Sequence, residues 1–347
     1  MSGAVETVEL GGTVREDRAA GLGPYTLARR RLLRNRTAMV SLVVFLLVVA
    51  ACLAAPLYAQ HVAHVNPFES NVSGTTIVHG KEVPVLQQGA GALGLGTTPI
   101  GPTWDFHHYF LGADGQGRDV MARLLYGGRN SLLISTASAL ICCVLATIIA
   151  VIAGFFGGFT DGVLSRLMDV VWAFPVYLLA ISISIVALTN GLDLGFVTLP
   201  ASSLWLPIGI IAIIYIPYVA RPVRGQVLSV REKEYVEAAI AQGASDWRLM
   251  RSEILPNVIT TVIVFFPLMI ATTMLTEAAL SFLSLGVQAP DASWGTIIND
   301  GQNVLYTRPW VAISPGIAIV IVVLTLNVFG DGLRDALDPR AKLRTRA

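Results

Sequence analysis

Charge is scarce in this chain. Only 14% of its 347 residues are Asp, Glu, Lys or Arg, against 54% hydrophobic, whereas a soluble domain usually carries about 25% charged residues. The shortfall is what lipid-facing helices produce. Lysine occurs only at Lys81, Lys233 and Lys342, none of them in a glycine-rich phosphate cradle, and no GxxxxGK[ST] run exists. That excludes the chain from being an ATPase of the phosphate-loop type. HExxH, GxSxG and a clustered catalytic triad are also missing, so no enzyme class is indicated. Cys52, Cys142 and Cys143 fall inside apolar runs with no CxxC pair, which argues against a disulfide framework or a zinc site. The first apolar run starts late, is too long for a signal-peptide core and is not followed by a small-x-small cleavage site. The net charge of +1 says little, and nothing points to nucleic acid.

What the chain has is greasy length. A helix needs about 20 apolar residues to cross the hydrocarbon core. Six runs qualify: Ala38–Tyr58, Ser131–Phe156, Leu164–Leu188, Leu204–Val219, Ile259–Leu285 and Val311–Phe329. The third carries Asp169 and Pro175, and the fourth is short and contains Pro207 and Pro217. Nineteen of the 24 Lys and Arg residues lie in the tails, in the loop after the fourth run and, as Arg166, at the start of the third run next to the loop after the second. The positive-inside rule therefore puts both termini in the cytoplasm and the loop 59–130 outside. The expected organisation is a cytoplasmic tail (1–37) whose first 20 or so residues are polar and disordered, a first span (38–58), an outer loop (59–130), a core of five spans (131–331) and a second tail (332–347). The basic collar Arg29–Arg36 serves as a topology anchor or lies on anionic membrane lipid as a short helix.

All five histidines, His61, His64, His79, His107 and His108, fall in the outer loop. A metal-site reading competes there with the simpler one, that polar residues belong in a loop. His107 and His108 point to different sides of any extended segment, which weakens the metal reading.

Between the fourth and fifth runs lies a charged island, Arg231 to Trp247, closing at Ile254-Leu255-Pro256. Glu232 to Gln242 is rich in helix formers, and Gly243 stands where a left-handed residue would end a helix. Tyr235, Ala238, Ala239 and Gln242 share one helical face whose small centre lets another surface approach closely. Ala244–Glu253 has the length of a second short helix, and Pro256 breaks the pattern before the fifth span.

Glu237-Ala238-Ala239-x-x-x-Gly243, with Leu255-Pro256 downstream, resembles the EAA motif of permease subunits of bacterial ABC importers. Glu253 replaces the general motif's hydrophobic residue, but Glu253-Ile254-Leu255-Pro256-Asn257 fits the form of the dipeptide and oligopeptide branch. Leu111-Gly112-Ala113-Asp114-Gly115-Gln116-Gly117-Arg118-Asp119-Val120 through Arg123 to Leu132, Ser281–Gly286 with Trp294-Gly295, and Asn327–Arg340 are similar to further stretches of the dipeptide, oligopeptide and nickel permeases, in the DppC-type subunit. The likeness runs from the basic collar to Arg340 and is weakest over Ala59–Phe110. It implies an all-α transmembrane protein, a six-helix MetI-like permease with a peripheral first helix, in the bacterial inner membrane. It implies a second, DppB-type permease subunit, two ATP-binding subunits that hold ATP and Mg, and an extracytoplasmic substrate-binding protein. No cofactor is expected on this chain. Contact with the ATPase is implied for Glu234, Tyr235, Glu237, Ala238, Ala239, Gly243, Leu255 and Pro256.

Two acidic residues stand inside spans. A carboxylate there is costly unless it is paired or faces water. Glu277 is read either as lining a translocation path or as holding the bundle together. Asp169 is a second path candidate, with an i,i+3 pairing to Arg166 as its structural alternative. The rival functions are another cargo on the same scaffold, such as nickel, or a self-sufficient channel or intramembrane enzyme.

Overall fold

The computed structural model describes residues 24–78, 80–88, 96–193 and 198–338. The polar segment before residue 24, His79 and the tail from residue 339, including Arg340, lie outside them. The helical elements are α1 (Pro24–Arg34), α2 (Arg36–Leu53), α3 (Val120–Phe156), α4 (Gly158–Trp172), α5 (Val176–Asn190), α6 (Trp205–Arg231), α7 (Glu234–Ala241), α8 (Leu255–Phe282), α9 (Trp294–Gln302) and α10 (Trp310–Leu337). Five helices are long and apolar enough to cross a membrane, and a sixth span is obtained when α4 and α5 are taken together.

The helices differ from the expected runs in instructive ways. The second begins at Val120 rather than Ser131, because Asp119 caps it by accepting from the Ala122 N–H at 2.7 Å. The third is broken: α4 and α5 meet at an 86° bend. Pro175 sits at the break, where it lacks an N–H and disfavours a helical residue before it. The fourth runs on to Arg231 with Pro217 and Pro222 inside it, so Pro217 does not interrupt its helix, nor does Pro267 in α8. In the loop 59–130, short antiparallel ribbons appear that apolar run lengths do not signal. Thr75–Val78 pairs with Lys81–Pro84, and Leu86–Gln88 with Thr97–Pro99. Val85, Ile100, Tyr109 and Ala113 form a small core beneath them.

The bundle is built on α3, which packs along α6 and across α8, while α10 holds α8 on one side and α2 on the other. Small residues set these distances. Gly154 of α3 meets Val227, and Gly128 lies against Cys52 and the Trp294 ring.

Glu277 of α8 is fully buried where α8, α9 and α3 converge. Its Oε1 accepts from the Ser281 hydroxyl at 2.7 Å, its Oε2 meets no donor among the described residues, and the Ser293 and Ser131 hydroxyls lie beside it. Each of these hydroxyls in turn accepts from a backbone N–H: Ser281 from Val287 at 3.1 Å, Ser293 from Thr296 at 3.3 Å and Ser131 from Trp294 at 3.0 Å. A hydroxyl has one proton to give, and that of Ser281 goes to the carboxyl. The hub ties the turn after α8 to Glu277 through Ser281, and the N-terminus of α9 to the wall of α3 through Ser131.

A second buried cluster lies nearby. Asp114 closes its own turn by accepting from the N–H groups of Gln116 and Arg118 at 2.9 and 3.0 Å. Its other oxygen pairs with Arg118 at 2.7 Å, and both Arg118 and Arg123 reach Asp300 of α9, at 2.9 and 2.8 Å. The loop before α3 is thus clamped to α9 by two arginines and two carboxylates.

Glu277→Ala leaves the buried Ser281 hydroxyl without its acceptor and a hole where the side chain stood, and is expected to destabilise the fold by about 3 kcal/mol. The readout is a thermal midpoint lowered by several degrees in detergent; an unchanged midpoint contradicts the hub. Burial raises the Asp119 carboxyl from 3.8 to about 6. Between those values the folded chain holds a proton that the unfolded chain releases, so this group's contribution to stability declines as pH rises through the window. Asp119→Asn keeps the cap and flattens that slope, as pH-dependent melting checks.

Candidate functional site

The charged island folds as α7 and a turn at its C-terminal end. The Ala244 N–H bonds back to the Ala239 carbonyl at 3.1 Å and the Gly243 N–H to the Ile240 carbonyl at 2.9 Å. That pair of bonds is the Schellman arrangement, and it needs the left-handed residue that Gly243 supplies at φ +79°. Glu234, Tyr235, Glu237 and Ala238 are exposed, Ala239 is half-buried, and Val236 is the buried anchor of the helix. Tyr235, Ile240 and Trp247 offer large apolar surface to solvent, next to the acidic Glu234 and Glu237. The island is therefore a projecting knob with an apolar crown and an acidic shoulder.

The segment after Gly243 is not the isolated second helix expected from its length. A helical turn at Asp246–Arg248 runs through a π-helical stretch, Leu249–Ile254, directly into α8. Pro256 does not end a helix. It lies in the first turn of α8, where its missing N–H is least costly, and the π stretch accommodates it. One helix of 37 residues, Asp246–Phe282, thus runs from the knob into the bundle. Leu255 is half-buried against the core at its start.

The two acidic candidates have opposite surroundings. Glu277 is 0% exposed and lines neither of two clefts formed by the described residues. Asp169 is half exposed on α4. Its closer partner is not Arg166, at 3.8 Å, but Arg221 of α6, at 2.7 Å. The i,i+3 pair exists but is the looser one. Arg224 of α6 grips Asp161 with both ends of its fork, so α4 is held to α6 by two arginine–carboxylate contacts.

A cleft of about 1430 Å³ opens between α1, α10 and the first half of α8. Its lining includes Pro256, Asn257, Thr260 and Thr261 from the start of α8, and Asn327 and Asp331 from α10. Polar groups along one face of an apolar helix mark a surface turned to water rather than to lipid. Among the described residues, no three His, Cys, Asp or Glu side chains gather as metal ligands.

Arg221, the serines around Glu277, and Asp300 are not evident as site residues from sequence. The Asp114–Arg123 stretch stands out only for its likeness to a family pattern. Asp300 is 182 positions from Arg118 and carries no local signal.

Comparison with known proteins agrees with this architecture. Residues 146–343 match the family model described as "Binding-protein-dependent transport system inner membrane component", and residues 23–72 match "N-terminal TM domain of oligopeptide transport permease C". The chain is 34% identical to the dipeptide transport system permease protein DppC of Alkalihalophilus pseudofirmus, over 94% of this chain and 93% of that one. It is 31% identical to the oligopeptide transport system permease protein OppC of Haemophilus influenzae, over 94% and 92%. It is 38% identical to the glutathione transport system permease protein GsiD of Pectobacterium atrosepticum, over 67% and 73%. Among solved structures, the inward-facing MetNI methionine ABC transporter aligns with a TM-score of 0.51 at 18% identity, over 63% of this chain and 97% of that one, which supports the shared MetI-like fold. A bundle of membrane-length helices with a helical knob between its fourth and fifth spans, matched by these models and relatives, belongs to the family of binding-protein-dependent transport system inner membrane components, the multi-pass permeases of ABC transporters.

Proposed function

We propose that this chain is one permease subunit of an ATP-driven peptide importer, that it forms half of the translocation pore, and that it takes its driving motion at α7. The observation that carries the coupling role is the knob's construction: an exposed apolar and acidic helix, fixed by the Gly243 turn and joined to a continuous helix that enters the bundle. Exposed Tyr235, Ile240 and Trp247 are the kind of surface a partner covers. Glu234, Tyr235, Glu237, Ala238, Ala239 and Gly243 make the contact in this reading, and Leu255 and Pro256 set the base of the lever. Peptide as cargo rests on the relatives named for dipeptide, oligopeptide and glutathione transport.

Two ATP-binding subunits, with ATP and Mg, supply the energy from other chains, since this one carries no phosphate loop. A DppB-type permease completes the pore, and an extracytoplasmic binding protein delivers the peptide. The Lys and Arg distribution favours α7 and both termini on the cytoplasmic side. The chain makes and breaks no covalent bond; its work is the differential stabilisation of two shapes by nucleotide in its partners. Glu277, enclosed by serines, acts in this reading as a structural post, and the water-facing path runs elsewhere.

Glu237→Lys reverses a charge on the knob, and Gly243→Val forces a branched residue into the left-handed region, which costs about 1–2 kcal/mol. In proteoliposomes containing the whole complex, both substitutions are expected to cut peptide uptake per ATP hydrolysed at least several-fold while membrane insertion is unchanged. Normal uptake in both variants overturns the coupling assignment.

A further inference from the structure

The pair Asp169–Arg221 does not stand alone. The Arg221 guanidinium lies over the Trp172 ring, 4.6 Å from its centroid. Trp172 is nearly parallel to Tyr218, with centroids 6.3 Å apart and 5° between planes. Tyr218 meets Phe265 of α8 edge-on at 6.3 Å. Phe265 in turn lines the large cleft together with Thr261 and Gln226. A carboxylate, a guanidinium and a run of aromatic faces thus form one continuous strip across α4, α6 and α8, leading into the cleft.

The strip is open. Side-chain exposure is 50% for Asp169 and 40% for Arg221, and Trp172 and Tyr218 are also exposed. Charged groups on membrane-length helices face protein or water rather than lipid, so this strip faces water or a partner subunit. Among the described residues Arg221 gives a single hydrogen bond, to Asp169. Its planar fork has five N–H donors and matches a carboxylate with two of them. Asp169 likewise has acceptor capacity to spare for an ammonium group. The aromatic faces suit the uncharged remainder of a ligand and tolerate variety, because they read no particular hydrogen-bond pattern.

We infer that Asp169, Arg221, Trp172 and Tyr218 form a transit site for zwitterionic short peptides, in which Arg221 receives the terminal carboxylate, Asp169 the terminal ammonium, and the aromatic strip the side chains between. The inference rests on the peptide-import reading and names where in the chain the cargo is handled. Mutual pairing of Asp169 and Arg221 keeps the charges satisfied between passages, and a passing peptide exchanges with that pair rather than binding to bare charge.

The test uses the complete transporter in proteoliposomes. First, Trp172→Cys is treated with a membrane-impermeant thiol reagent, during turnover with and without a tripeptide. The native cysteines are buried and give low background. Labelling that the peptide suppresses is expected. A cysteine that stays unlabelled, or is labelled equally with and without peptide, overturns the inference. Second, Arg221→Gln is expected to lower uptake of a tripeptide with free termini about tenfold, and to change uptake of its C-terminal amide far less; Asp169→Asn reverses the preference toward N-acetyl peptide. Equal losses for all forms mean that the pair only holds α4 to α6, and the inference fails. Wild-type transporter that carries no peptide in any form means instead that the peptide-import reading fails.

Discussion

One buried carboxyl organises this permease. Glu277 is removed from water on every side, and burying a carboxyl is costly unless it is hydrogen-bonded. Ser281 meets one of its oxygens, Ser293 and Ser131 lie beside it, and all three hydroxyls accept from backbone N–H groups. Because these hydroxyls hold backbone N–H groups, the turn after α8, the start of α9 and the side of α3 are fixed around the carboxyl. The neighbouring clamp of Asp114, Arg118, Arg123 and Asp300 adds a second set of bonds between the same parts of the chain. The bundle is therefore rigid at this end, where polar networks select one geometry.

The opposite end is made differently. The knob presents apolar side chains to solvent, the turn at Gly243 meets nothing within 4 Å of where a side chain would begin, and a wide cleft separates α1 and α10 from the first half of α8. Val236 is the one fully buried residue of α7, and an element held so lightly is able to move. Tight polar closure at one end and open packing at the other suit a bundle that changes shape without coming apart.

Much of this architecture is legible in the sequence. Apolar run length locates the spans, since burial of a membrane helix needs little more than composition. The island's glycine and Leu-Pro spacing locates the knob. The failures have physical causes. Run length cannot see that α3 starts at Val120, because Arg123 interrupts the greasy pattern and its charge is met by Asp114 and by Asp300, the latter 177 positions away. The break at Pro175 and the continuity at Pro217, Pro256 and Pro267 cannot be told apart by residue type. They depend on whether the preceding carbonyls find other partners and on how the turn is wound, as the π stretch before Pro256 illustrates. Glu277 is conspicuous in the sequence but not assignable, because two of the serines beside it, Ser131 and Ser293, lie on other elements.

The uninterrupted helix from Asp246 to Phe282 has a mechanical consequence. Its far end is fixed at Glu277, and its near end carries the knob. The 31 positions between Asp246 and Glu277 span about 46 Å at about 1.5 Å per residue. A tilt of about 5° about Glu277 then displaces the knob by about 4 Å, while the residues beside the fulcrum shift by less than the width of an atom. Leverage of this kind converts a large, weakly guided stroke outside the bundle into a small, strictly guided one within it. Stiffness along a single helix then counts for more than the strength of any one contact.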